Sequence, residues 1–212
     1  MTRPLLEEWA EVASFDPPGV GDEPDDGRPD DAGIIARALA ETGRRGWDRY
    51  FVVADSFAVP AAVAIAEQRP DAAEGLALGH PSLRYPAGNR ELYEAMGRLL
   101  ETDFGSFIRA GVMQLTGGSY DEDLLERAIA RVPREVAQRV WIEHRNVELD
   151  LGAKLAALGK PLLLAEHVGC IAIEAGVFAD ATAAFPDAAT VSLPNAPATD
   201  PGFAEALRGF CT

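Results

Sequence analysis

Apolar positions along this chain alternate between two rhythms. Tyr50 to Ala54 is a continuous apolar run, the pattern of a buried parallel strand. Phe57 to Arg69 then recurs at helical spacing, with Pro60 tolerated in the first turn. "EGLALGHP" predicts a further strand. Upstream, "AEVASF" alternates and predicts a short strand over Glu11–Phe15, closed by the Pro/Gly turn "DPPGVG". Ile34, Ile35, Ala38 and Leu39 share one helical face, and that helix stops at glycine. From Leu83 to Leu158 only helical spacing is found, carried by Leu92, Tyr93, Met96, Leu99 and Leu100, then by Leu124, Leu125, Ala128, Ile129 and Val132. "TGGS" at 116–119 predicts a turn between those helices. "GKPLLLAEH" returns to a buried strand, Ile173 to Phe185 is helical, "DAATVSLP" is the last strand, and "DPGFAEALRGF" closes as a helix.

Strands alternating with helices imply an α/β fold with a mostly parallel sheet and helices on both faces. Residues 1–82 and 159–212 form its core, and 83–158 form a helical cap inserted over the strands' C-terminal ends, where ligands bind in open sheets of this kind.

The net charge of −15 argues against nucleic acid and anionic membranes as partners. No window is apolar enough to span a membrane, and the first residues lack the apolar segment of a secretory signal, so a cytoplasmic location is expected. Six acids crowd "DEPDDGRPDD", but Pro24 and Gly33 stand where a calcium loop needs ligands, so a solvated loop is expected. Cys170 and Cys211 suggest neither a disulfide framework nor a zinc site. Gly19-Val20-Gly21 lacks the third glycine of a phosphate loop. No metal and no cofactor are therefore expected.

The chemistry centres on Ala54-Asp55-Ser56-Phe57-Ala58, where a strand runs into a helix around a serine flanked by small residues. A nucleophile at such a turn needs small neighbours two before and two after it. Together with "SFDPPGVG", "AIAEQRPDAAEGLALGHP", "GKPLLLAEH" and "FPDAATVSLPNAPATDPGFAEALRGF", this stretch resembles the α/β-hydrolase superfamily over nearly the whole chain. The resemblance implies an ester or acyl hydrolase with Ser56 as nucleophile and the Phe57 backbone N–H as one oxyanion donor.

Three departures from the family accompany the match. Val168 stands where the family carries its catalytic acid, with Glu166 too early in the alignment. "LPNAPATDPGF" has no histidine where the catalytic base belongs. The family's first strands have no counterpart before "EVASFD", so the sheet needs re-pairing, a partner's strand or a lost N-terminus. Ser56 is thus a working nucleophile with an unusual base, a retained relic that can bond a ligand, or a turn serine. His80 and His167 are the base candidates, each weighed against a plain loop role. His144 is read as surface or cap packing, and Cys170 as a small buried apolar residue. Consecutive side chains at a tight turn diverge, so Asp55 is not expected to orient a base. The alternative function is a non-catalytic binding or scaffold protein, a pseudoenzyme keeping a capped pocket for an apolar small molecule. A homodimer is compatible with either.

Overall fold

The structure is a computed structural model describing residues 3–14, 16–27, 30–85, 90–115, 122–146, 148–170 and 176–212. In chain order the elements are α1 (Arg3–Glu7), α2 (Asp31–Arg45), β1 (Tyr50–Asp55), one 3₁₀ turn (Ser56–Ala58), α3 (Val59–Gln68), β2 (Ala73–Gly79) and β3 (Arg84–Tyr85). There follow α4 (Arg90–Thr102), α5 (Phe104–Leu115), α6 (Glu122–Arg131), α7 (Arg134–Asn146), β4 (Leu149–Asp150), α8 (Leu151–Leu158), β5 (Leu162–His167), α9 (Val177–Ala184), β6 (Ala189–Leu193) and α10 (Pro201–Phe210).

Among the described residues the main sheet has the order β1-β2-β5-β6, every pair parallel. Side chains alternate across it. Leu76, Leu78, Leu162 and Leu164 face α3, α8 and α9, joining Val63, Leu155 and Ala181 in one core. Ala77, Leu163, Ala165 and Leu193 face the other way, against Phe203 and Leu207 of α10, with Leu6 and Trp9 at its margin. Helices on both faces are what the continuous apolar runs of β2 and β5 require.

Local signals set the helix ends. Asp30 caps α2 by accepting from the Gly33 N–H at 2.8 Å, and Gly46 ends that helix with φ of 68°. Asp200, 5% exposed, caps α10 through the Gly202 N–H and also accepts from Asn195.

The strand expected at Glu11–Phe15 does not form over residues 11–14, and Phe15 lies outside the described residues. Glu11, Val12 and Ala13 run beside β1 across a cavity of about 350 Å³, so no ladder joins them to the sheet. Among the described residues β1 is therefore an edge strand, with Val53 45% exposed, rather than the buried strand its composition suggested. A second cavity, of about 320 Å³, lies between β1, α2 and α3.

The helices α4 to α7 lie between β3 and β4, a two-stranded antiparallel clasp that helical periodicity did not disclose. The loop after Ser14 docks onto α6 and α7. Gly21 N–H donates to the Arg131 carbonyl at 2.7 Å, Arg131 pairs with Asp16 at 2.5 Å, and Arg139 pairs with Asp25 at 2.6 Å. A Cβ on Gly19 would lie 2.9 Å from Val136 Cγ2, so only glycine permits this approach. Glu23 pairs with Arg37 of α2. The acidic loop is therefore a docking strap as well as a solvated segment. The turn expected at 116–119 lies outside the described residues, as does the expected helix start at Ile173.

Candidate functional site

Parallel strands bring their C-terminal ends together, and here three adjacent ends converge. β1 ends in Asp55 and runs into Ser56, β2 runs into His80, and β5 ends in His167. Ser56 has φ of 53° and His80 φ of 50°, the two left-handed non-glycine residues among those described. Such a conformation costs on the order of 1–3 kcal/mol and is concentrated at functional sites. At Ser56 it follows from the sharp strand-to-helix reversal, which buried Ala54 and small Ala58 permit. At His80 the backbone N–H is held by the Ala165 carbonyl at 2.9 Å, which turns the chain off the end of β2.

Asp55 is paired in register with Gly79, the residue before His80. A Cβ on Gly79 would lie 2.5 Å from Asp55 Oδ1 and 2.8 Å from Pro197 Cγ. The bare glycine lets the Asp55 carboxylate cross the strand end and meet His80 Nδ1 at 2.7 Å. The His80 side chain is 8% exposed and that of Asp55 17%. The expectation that Asp55 would orient no base is corrected by this pair. Register with β2 and the space left by Gly79 bring Asp55 to an imidazole that the serine turn alone could not reveal.

Burial pulls the His80 pKa down, but the Asp55 carboxylate and the Cys170 thiol beside the ring outweigh it and lift the value to about 9. His80 Nε2 is buried without a hydrogen-bond partner, so the ring is not bonded to Ser56. His167 stacks edge-on to His80 with centroids 6.1 Å apart. Its pKa is lowered by burial and by the neighbouring His80, against opposing contributions from Asp55, Asp200 and the Pro194 backbone. His167 Nδ1 is likewise buried and unpartnered.

Cys170 joins this group. The turn His167–Cys170 is closed by Cys170 N–H donating to the His167 carbonyl at 3.2 Å, with Gly169 at φ of 82°. One ligand-type atom from each of His80, His167 and Cys170 lies within 4.8 Å of the others. Cys170, read from the sequence as a small buried apolar residue, is half-buried and sits beside the two imidazoles. Sequence reasoning weighed Cys170 and Asp55 and gave neither a role in the site. The signal available for Cys170 was His-x-Gly-Cys, a histidine and a cysteine on the two ends of a glycine turn.

Glu166 accepts a hydrogen bond from Ser192 Oγ at 2.7 Å, and Val168 is 60% exposed. The turn after β6, where the family histidine was sought, is organised by Asp200 instead. His144 belongs to α7, and its side chain lies outside the described residues. On the other side of Ser56, Phe57 meets Tyr93 of α4 at 6.0 Å and Trp141 of α7 at 5.9 Å, both edge-on. Burial in this aromatic cluster pushes the Tyr93 pKa up to about 12.

No protein-family profile matches the chain, and no curated protein does. Solved structures match it closely in shape. A hydrolase from Oleispira antarctica superposes with a TM-score of 0.74 at 14% identity, covering 91% of this chain and 76% of that one. An esterase from Rhodococcus sp. ECU1013 gives 0.70 at 18% identity, covering 91% and 77%. An enol-lactonase from Burkholderia xenovorans LB400 gives 0.67 at 15% identity, covering 85% and 72%. With its parallel sheet, its serine at a left-handed strand-to-helix turn and these matches, the chain has the α/β-hydrolase fold.

Proposed function

We propose that the protein is an ester or acyl hydrolase with slow turnover near neutral pH. Ser56 is the nucleophile, His80 the general base, Asp55 the residue that orients it, and the Phe57 N–H an oxyanion donor. The observation that carries this reading is the 2.7 Å Asp55–His80 pair, next to a serine held at φ of 53°. Asp55 fixes the Nδ1–H tautomer and leaves Nε2 as the basic nitrogen. His80 would take the Ser56 proton as the hydroxyl attacks the acyl carbonyl, then return it to the leaving alkoxide. Catalytic hydrogen bonds are often long before substrate arrives, which accommodates the absent Ser56–His80 bond. The high His80 pKa keeps the base protonated near neutrality, which makes the enzyme slow there. Residues 83–158 act as the cap, with Tyr93 and Trp141 pressing on the residue that follows the nucleophile. The test is hydrolysis of short-chain p-nitrophenyl esters by the wild type and by Ser56→Ala. Turnover lost in the variant supports the reading, and equal turnover overturns it.

A second reading is binding of an apolar small molecule without turnover. The cavity of about 320 Å³ beside β1 favours it, lined by Ile34, Ala38, Trp47, Val52, Ala61 and Ile65. Saturable ligand binding that is weakened by Ala61→Phe would support it.

A further inference from the structure

We infer that His80, His167 and Cys170 form a binding site for a divalent metal of the zinc class. Two imidazoles and a thiol are the donor set that zinc selects, and one donor atom from each lies within 4.8 Å of the others. Tetrahedral zinc, at ~2.0–2.3 Å from its ligands, separates them by about 3.3–3.8 Å.

Two independent features point to a ligand. The first is a pair of orphaned nitrogens. His80 Nε2 and His167 Nδ1 are both buried with no hydrogen-bond partner. A buried polar atom left unpaired is costly, and a metal bond would remove that cost at both rings. The second is the Asp55 carboxylate, 2.7 Å from His80 Nδ1. A histidine ligand characteristically donates its other ring N–H to a carboxylate, which fixes the tautomer and raises its basicity. The local backbone serves the same purpose. Gly169 at φ of 82° folds Cys170 back beneath His167, and His80 at φ of 50° leaves β2 beside them.

Three protein ligands leave a fourth position for water or an added molecule. Binding releases the Cys170 thiol proton, because the thiolate is the ligand. It also occupies His80 Nε2, the nitrogen that the proposed hydrolysis uses as base. The metal would therefore hold the hydrolase silent, and its removal would free the base. The site itself does not depend on the hydrolase reading, since Ser56 is not among its ligands.

The test is titration of Co(II) into the full chain, reduced and stripped by chelator. One equivalent should give the strong visible bands of tetrahedral cobalt together with a thiolate-to-cobalt charge-transfer band, and Zn(II) should erase both. Cys170→Ser should abolish the charge-transfer band, and His167→Gln, which removes a ligand, should weaken binding by about 100-fold or more, beyond the 10–100-fold typical of losing a ligand's supporting group. Ser56→Ala should bind as the wild type does. Circular dichroism of each apo variant separates lost ligation from lost folding, and Cys170→Ala provides a second removal of the thiol. Absence of the charge-transfer band in folded wild type, or wild-type affinity in folded Cys170→Ser and Cys170→Ala, overturns the inference. Failure of the hydrolase reading would show separately, as ester turnover absent from the stripped protein while cobalt still binds.

Discussion

His80 Nδ1 and Asp55 Oδ1 lie 2.7 Å apart across the ends of two adjacent parallel strands. Both side chains are largely shielded from solvent. Strand register creates the pair: Asp55 faces Gly79, and His80 is the next residue. Asp55→Asn should leave the shape of the pair and remove its charge. The His80 pKa, followed by NMR of the ring protons, should fall from about 9 toward the ordinary histidine range. Ester turnover should drop by on the order of 10²–10⁴-fold, as when a triad carboxylate becomes an amide. An unchanged pKa would show that Asp55 does not govern the ring.

The pair depends on a missing side chain. Gly79→Ala would put a methyl group 2.5 Å from Asp55 Oδ1 and 2.8 Å from Pro197 Cγ. The carboxylate must move, and a packed neighbour must move with it. We expect a loss of about 1–3 kcal/mol in stability, typical of overpacking, and a lower His80 pKa. Denaturant melts and the same NMR titration check both.

The pH dependence of the metal-stripped protein follows from the sign of the His80 shift. Its folded pKa of about 9 lies above the unfolded value of 6.5. The stability it contributes is fully present below 6.5 and lost as pH rises through 9. Activity runs the opposite way, because the base must be neutral, so turnover should climb up to about pH 9. Thermal melts should show the alkaline loss in the wild type and not in His80→Gln.

Asp31 makes a separate prediction. Burial, with Asp30 adding repulsion, raises its pKa from 3.8 to about 6. The folded chain holds a proton there that the unfolded chain has released, so stability falls as pH rises from 3.8 through 6. Asp31→Asn should remove that fall. Discounted for partial exposure and for the favourable position of an anion at a helix start, the gain above that window is about 1 kcal/mol. Equal melting temperatures for the two proteins above the window would contradict it.

The main sheet and its helices were legible because buried strands are continuous apolar runs and helices keep their period. Glu11–Phe15 misled because alternation marks a segment able to pair, not one with a strand beside it. β3 and β4 are two residues each and distant in sequence, so no local pattern carries them. Ser56, His80 and His167 were legible as strand-end residues, and the structure does bring His80 and His167 together. Asp55 was not, because its role depends on register with β2 and on the space left by Gly79.

The central claim is that Ser56 is an activated nucleophile served by His80. The most direct measurement is covalent labelling by a fluorophosphonate probe, on metal-stripped wild type, Ser56→Ala and His80→Ala, each shown folded by circular dichroism. The account predicts labelling of the wild type that quickens toward pH 9, none in Ser56→Ala, and a large slowing in His80→Ala. A folded wild type that takes no label, or a Ser56→Ala variant that labels as fast as the wild type, would contradict it.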